Sequence, residues 1–274
     1  MMPARPDRYA VIGNPIAHSK SPDIHARFAA ATAQNMQYER LLAPLDGFVA
    51  TVRGFIDQDG KGMNVTVPFK LEAHALATEL TERARAAGAV NTLRFDGDRI
   101  LGDNTDGVGL VTDIVVNAGV AVRSKKVLLL GAGGAARGVV LPLLKESPRE
   151  LVIANRTVGK AQELADTFGA QGPVRATDFA SVQHVFDIVI NATSASLAND
   201  VPPVAPAVFC QDTLAYDMMY GKAHTAFMRF ALGHGAAVRD GLGMLVEQAA
   251  ESFLVWRGVR PDTAAVFTEL RDRL

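Results

Sequence analysis

Lys70 stands where an isolated cation has little reason to be. It closes the run Met63-Asn64-Val65-Thr66-Val67-Pro68-Phe69-Lys70, in which an apolar strand gives way to a helix, so its ammonium meets the positive end of a helix dipole. That placement becomes reasonable when a carboxylate or a substrate oxygen lies opposite. Asp106, in Gly102-Asp103-Asn104-Thr105-Asp106-Gly107, is the obvious carboxylate, although it could equally N-cap the apolar helix that starts near Val108. Asp103 is a rival set farther from that helix start.

Ser19-Lys20-Ser21-Pro22-Asp23 carries a second ambiguity of the same kind. Ser21 as N-cap with Pro22 at the first helical position is a favoured helix opening, and spacing alone favours that reading. Two hydroxyls two residues apart, beside unpaired helix N–H groups, also make a site the size of a carboxylate.

A third group of residues has phosphate chemistry. Val127-Leu-Leu-Leu130 enters a turn, Gly131-Ala-Gly133-Gly134-Ala135-Ala136-Arg-Gly138, that matches the G-x-G-x-x-G/A pattern letting a pyrophosphate approach bare backbone at a helix N-terminus. The following strand, Leu151–Ala154, ends in Asn155-Arg156-Thr157. A site for NAD keeps an acidic residue there for the ribose 2′-hydroxyl, whereas Asn155 with Arg156 fits a 2′-phosphate. Thr157 as N-cap would put Lys160 in the first helical turn, a cation the dipole disfavours unless a phosphate sits beside it. The expected cofactor is therefore NADP, and redox chemistry leads. Thr193, in the polar loop Asn191-Ala-Thr193-Ser194 after the apolar Ile188–Ile190, either touches that cofactor or satisfies loop backbone.

These residues need elements to hold them. Tyr9–Ile12 and Met63–Val67 read as strands and Pro22 to about Asn35 as a helix. Leu71–Ala87 reads as one further helix, with Ala73, Leu76, Ala77, Leu80, Ala84 and Ala87 forming a stripe at steps of three and four. Leu93–Leu101 reads as a hairpin, Asp96-Gly97 supplying positive φ. The alternation restarts near Lys125, which suggests a second domain with its boundary between Asp106 and Lys125. A long helix carrying Leu245, Ala249, Phe253 and Trp256 follows Gly243. The fold class is α/β.

Composition removes several function classes. The 274 residues carry a formal charge of −1, which recommends neither nucleic acid nor an anionic membrane as partner. One cysteine, Cys210, excludes an intrachain disulfide and a thiolate zinc cluster, and it reads as a small buried hydrophobe. The six histidines show no metal-ligand spacing, so no metal is expected. No stretch approaches the ~18 apolar residues of a membrane span, and the N-terminus lacks a signal-peptide pattern, so a cytoplasmic protein is expected.

Taken together, Gly13-Asn-Pro-Ile-Ala-His-Ser19-Lys-Ser21-Pro, Asn64-Val-Thr66-Val-Pro-Phe-Lys70, Ala89-Val-Asn91-Thr92, Gly102–Gly109, the glycine turn, Asn155-Arg156-Thr157, Asn191–Ser194, Tyr216-Asp-Met218-Met-Tyr220 and Gly241-Leu-Gly-Met-Leu-Val-Glu-Gln248 resemble the shikimate dehydrogenase family, in order, from residue 13 to beyond 250. The resemblance implies an N-terminal α/β substrate domain, 1–106 with 242–274, facing a Rossmann-type NADP domain, 107–241, with a central parallel sheet. It implies that Ser19 and Ser21, with Tyr220, hold a substrate carboxylate, which reverses the preference for a mere cap at Ser21. Thr66, Lys70, Asn91, Asp106 and Gln248 would meet ring hydroxyls, with Lys70 and Asp106 as the catalytic pair. Gly131, Gly133, Gly134, Ala135, Ala136, Asn155, Arg156, Thr157, Lys160, Thr193, Met218 and Gly241 would line the cofactor.

The implied reaction is reversible reduction of 3-dehydroshikimate to shikimate, a step toward chorismate and the aromatic amino acids. Lys70 would stabilise and protonate the alkoxide. A quinate/shikimate dehydrogenase with relaxed NAD/NADP use, and a non-catalytic NADP-binding regulator of the same fold, are the rivals. The serine pair and Arg156 lean against the first, and the retained Lys70 and Asp106 against the second. Members resemble one another as monomers and homodimers, leaving both open. Two departures bear on loop geometry: Ala195-Ser196 where the family often has glycine, and Thr225-Ala226-Phe227 where it often has Thr-Pro-Phe.

Overall fold

Val127, Leu128, Leu129 and Leu130 are all fully buried, as a strand covered on both faces must be. Each such side chain contributes roughly 1.5–3 kcal/mol of transfer free energy relative to exposure. The computed structural model that shows this describes residues 5–274; residues 1–4, expected in the first domain, lie outside the described residues. The chain divides into two compact units, one of residues up to Asp106 with 246–269, the other of 107–245 with 270–274.

In the first unit the elements are β1 (Asp7–Gly13), α1 (Ser21–Ala31), β2 (Met36–Leu42), α2 (Phe48–Asp57), β3 (Gly60–Val65), α3 (Lys70–Leu76), β4 (Glu79–Leu80), α4 (Glu82–Ala87), β5 (Thr92–Asp96) and β6 (Arg99–Asp103). They build one mixed sheet in the order β2-β1-β3-β5-β6-β4, with β3/β5 and β5/β6 antiparallel. Its core gathers Ile12, Phe48, Val52, Phe55, Met63, Phe69 and Leu93.

The helix expected over Leu71–Ala87 is broken. Ala77 turns extended (φ −62°, ψ 131°), Glu79-Leu80 pairs with β6, and Thr81 starts α4 by accepting a hydrogen bond from Ala84 N. Two β-branched threonines that can bond backbone outcompete the helix here: Thr78 N and Oγ1 both bond Ile100 O, and its Oγ1 also accepts from Ile100 N. The apolar stripe still faces the core, because Ala73 and Ala84 are buried and Leu76, Ala77 and Leu80 pack against the same cluster. In the β5–β6 hairpin only Gly97 takes positive φ, at 59°, so the glycine and not Asp96 supplies the turn.

The second unit holds α5, which opens at the boundary (Asp106–Thr112), a π-helical turn (Asp113–Asn117), β7 (Lys126–Leu130), α6 (Gly134–Lys145), β8 (Glu150–Ala154), α7 (Val158–Phe168), β9 (Val174–Thr177), β10 (Ile188–Asn191), β11 (Leu214–Asp217), α8 (Ala226–Gly233) and β12 (Ala237–Asp240). All six strands are parallel, in the order β9-β8-β7-β10-β11-β12. In sequence order this reads 3-2-1-4-5-6, the doubly wound arrangement whose switch point, between β7 and β10, is where ligands bind.

Helix α9 (Leu242–Arg257) begins in the second unit and ends in the first, and α10 (Ala264–Asp272) does the reverse. The tail expected to return whole to the first unit is therefore shared: Leu270 is buried in the second unit and Arg271 binds both carboxylate oxygens of Asp240. Among the described residues no helix is long and apolar enough to cross a membrane.

Candidate active site

Lys70 is the first residue of α3 and Asp106 the first of α5, so both project from helix starts. Their side chains meet, Lys70 Nζ donating to Asp106 Oδ2 at 2.5 Å. The other carboxylate oxygen accepts from Asn91 Nδ2 at 2.8 Å, and that amide also reaches Gln248 Oε1 at 3.4 Å. Side chains thus engage both oxygens of Asp106, and Asn104 Oδ1 takes the Asp106 N–H. The alternative role as N-cap gives way to Asp106 lying inside the helix. Asp103, the rival, is locked to Arg83 and to the Thr81 hydroxyl.

Ser21 is not an N-cap either. The cap position is Lys20, no side chain caps α1, and Ser21 is its first residue with Pro22 second. Instead Ser19 Oγ accepts from Ser21 N at 3.3 Å and lies 3.2 Å from Ser21 Oγ, so the two hydroxyls sit side by side. Arg40 fixes the loop beneath them through Ser19 O. Thr66 is half-buried beside Gly13, where a Cβ would meet Thr66 Cγ2 at 2.5 Å. Sequence reading missed the groups behind this cluster, Tyr38, Thr92, Thr105 and Ser252, because buried hydroxyls carry no periodicity or charge to mark them.

Tyr220 lies in the second unit. Burial, and then the charge of Asp240, push its phenol above the ordinary tyrosine value, so it remains a donor at neutral pH.

In the same unit Gly131 turns the chain at φ 106°, a conformation open to glycine. Gly133, Gly134 and Ala135 are exposed, a Cβ on either glycine would touch nothing, and no side chain caps α6. Ala136 is fully buried where the pattern needs a small residue for helix packing. Asn155 Nδ2 bonds Thr157 O. Thr157 occupies the N-cap position of α7, as expected, but its side chain makes no cap bond; Lys160 falls in the first turn. Arg156 and Lys160 are exposed and have no carboxylate partner among the described residues. A bare helix start, open space above two glycines and two unpaired cations fit a dinucleotide carrying an extra phosphate.

Thr193 serves its own loop, donating to Asn191 Oδ1 at 2.7 Å and accepting from Ala195 N at 3.3 Å. Met218 N bonds Asn191 O, and Gly241 passes so close that a Cβ would lie 2.2 Å from Met218 O. The segments that carry the two family departures meet at one carboxylate: Ser196 Oγ, from the first, and Thr225 Oγ1, the residue before Ala226 in the second, each donate to Asp217 Oδ2 at 2.6 Å, and Asp217 is fully buried. Cys210 is half-buried, against the expectation of full burial, with Sγ 3.5 Å from Thr213 Oγ1. Among the described residues no cluster of metal-ligating side chains exists.

A 3-2-1-4-5-6 parallel sheet with an uncapped glycine turn, joined in one chain to a unit bearing a paired lysine and aspartate, defines a dinucleotide-dependent oxidoreductase of the doubly wound α/β class. Three family models match in succession: the shikimate dehydrogenase substrate binding domain over residues 11–93, shikimate/quinate 5-dehydrogenase over 114–199, and the shikimate 5′-dehydrogenase C-terminal domain over 241–266. The shikimate dehydrogenase (NADP+) of Janthinobacterium sp. (strain Marseille) is 71% identical over 273 residues, 100% of both chains. Among solved structures, the Ael1 enzyme from Pseudomonas putida is 50% identical with a TM-score of 0.92, covering 96% of this chain and 98% of that one. The shikimate 5-dehydrogenase of Thermus thermophilus, in complex with NADP(H) and shikimate, is 31% identical with a TM-score of 0.87, covering 98% and 100%. This chain belongs to the shikimate dehydrogenase family.

Proposed function

We propose that this chain catalyses the reversible NADPH-dependent reduction of 3-dehydroshikimate to shikimate, in the supply of chorismate for aromatic amino acids. The observation that carries the reading is the Lys70–Asp106–Asn91 cluster, an ammonium held beside a carboxylate with Gln248 at its edge. NADPH, when bound, supplies the hydride for the ring ketone. Lys70 donates its proton to the ketone oxygen as negative charge develops there, and its own charge stabilises that oxygen. Asp106 keeps the ammonium in place and accepts from a neighbouring ring hydroxyl. Asn91, Thr66 and Gln248 bind the remaining hydroxyls; Ser19 and Ser21, with Tyr220, hold the carboxylate.

Gly131, Gly133, Gly134, Ala135 and Ala136 would carry the pyrophosphate. Asn155, Arg156, Thr157 and Lys160 would carry the 2′-phosphate, and Thr193, Met218 and Gly241 the nicotinamide side. The first unit is thus the substrate domain and the second the NADP domain. The protein would act in the cytoplasm, as a monomer or homodimer, on a small molecule and not on nucleic acid; a formal charge of −1 supports that.

Turnover followed at the nicotinamide absorbance tests this, with shikimate and NADP in one cuvette and quinate and NAD in another. Preference for the first pair is expected. Equal turnover of both would favour the broader quinate/shikimate activity, and none with either would leave a binding protein.

A further inference from the structure

The amide of Asn91 has two ends alike in shape and opposite in chemistry. Its Oδ1 takes the backbone N–H of Thr105 at 2.9 Å. An N–H only donates, so this end must be the oxygen, and Nδ2 is left to face Asp106 Oδ1. Turned over, the amide would set hydrogens against the Thr105 N–H and an oxygen against a carboxylate.

Thr92 and Ser252, both fully buried, lie behind Asn91. Thr92 Oγ1 is 2.9 Å from Asn91 Oδ1, which can only accept, so Thr92 spends its single proton there. Its lone pairs then receive Ser252 Oγ at 2.8 Å and Asn64 Nδ2 at 3.2 Å. Ser252 in turn accepts from Asn64 Nδ2 at 2.9 Å; its proton has Thr92 Oγ1 as the nearer acceptor and Gln248 O, at 3.0 Å, as the farther. Asn64 is itself oriented by the Tyr38 hydroxyl, which donates to Oδ1 at 2.6 Å. Burial raises the Tyr38 phenol well above the ordinary value, so that donor stays protonated. With the Ser252 proton on Thr92 Oγ1 rather than on Gln248 O, the bonds in the series Tyr38, Asn64, Ser252, Thr92, Asn91, Asp106 all point the same way, and aligned bonds polarise one another.

We infer that Thr92 and Ser252 are positioning residues of the proton-transfer site, holding the Asn91 amide in the one orientation that offers an N–H to Asp106. Neither touches substrate, cofactor or reacting atoms. The inference deepens the proposed reductase activity and rests on it for its kinetic consequence.

Thr92→Val preserves shape and removes the donor, and Thr92→Ser restores the donor without the methyl. With shikimate and NADP, Thr92→Val should lower kcat by about tenfold while KM for NADP stays within about twofold, and Thr92→Ser should recover most of the loss. The side-chain amide resonances of Asn91, assigned by 15N labelling, should be sharp and dispersed in the parent and in Thr92→Ser and averaged in Thr92→Val. Full kcat and an unaltered Asn91 amide in Thr92→Val would overturn the inference, as would equal damage from valine and serine, which would point to packing alone. Should Thr92→Val not fold, Ser252→Ala against Ser252→Thr is read by the same two measurements. A parent that turns over neither substrate would sink the functional reading, and the amide resonances would still judge this one.

Discussion

Arg83 grips Asp103 through two parallel bonds, Nε to Oδ1 at 2.7 Å and Nη2 to Oδ2 at 2.5 Å, while its remaining nitrogen reaches Glu251 of α9 at 2.9 Å. One guanidinium thus ties the end of β6, three residues before Asp106, to the helix that carries Gln248 and Ser252. Asp103 is 2% exposed. Burial, the largest influence, pushes its carboxyl up, but the Arg83 bonds and charge, with the Thr81 hydroxyl and Asn104 N–H, outweigh it and hold the group below its usual value.

Arg83→Leu should therefore strand a buried carboxylate and cost about 3–5 kcal/mol, read as a fall in the urea midpoint. Arg83→Lys should fall between, since one ammonium cannot reproduce the fork. Because the folded carboxyl is depressed, its stabilisation is present above the unfolded value near 4 and is lost as pH falls through the folded one. An unchanged midpoint for Arg83→Leu would show that the pair carries no net stability.

Lys70→Ala should lower kcat about 10²–10⁴-fold, the usual worth of a positioned acid, with a smaller effect on KM for shikimate. Near-normal kcat would remove Lys70 from proton transfer.

Arg156→Ala should raise KM for NADP far more than KM for NAD, because only the former carries the 2′-phosphate. Equal changes for both cofactors would break the assignment of Arg156, and a second variant at Lys160 would then be tested the same way.

His25 gives the fold a pH dependence. Its ring is fully buried and stacks on Tyr38 at 4.3 Å. Burial pushes its pKa down to about 3 from 6.5. Below about 6.5 the unfolded chain takes up a proton that the folded one refuses, so this stability is full above 6.5 and declines as pH falls toward 3. In His25→Phe the slope of unfolding free energy between pH 6.5 and 4 should be shallower, by at most about 1.4 kcal/mol per pH unit. Parallel slopes for parent and variant would refute the titration.

Much of this was legible from residues alone. The strand, glycine turn and helix around Gly131 follow from local chemistry, and an all-apolar Val127–Leu130 could hardly lie anywhere but a sheet centre. The strands β2, β9, β11 and β12 and the helices α2 and α8 were not anticipated. β2 is an edge strand mixing Gln37, Glu39 and Arg40 with apolar residues, and β11 and β12 have four residues each, too few for a period to show. The Leu71–Ala87 break was hidden because its apolar spacing is helical throughout, and the competing bonds of Thr78 come from β6, remote in sequence. At the site the charged pair was readable and the neutral donors behind it were not, since their meaning lies in which neighbour receives each proton.

The shared ownership of α9 bears on how the protein is made. Trp256 donates its indole N–H to Leu93 O, and Phe253 packs edge-on to Phe28, so the sheet begun by the earliest residues is closed by some of the last. A chain leaving the ribosome has all six parallel strands in hand before that closure becomes possible, so the first unit is completed after the strands of the second have been made.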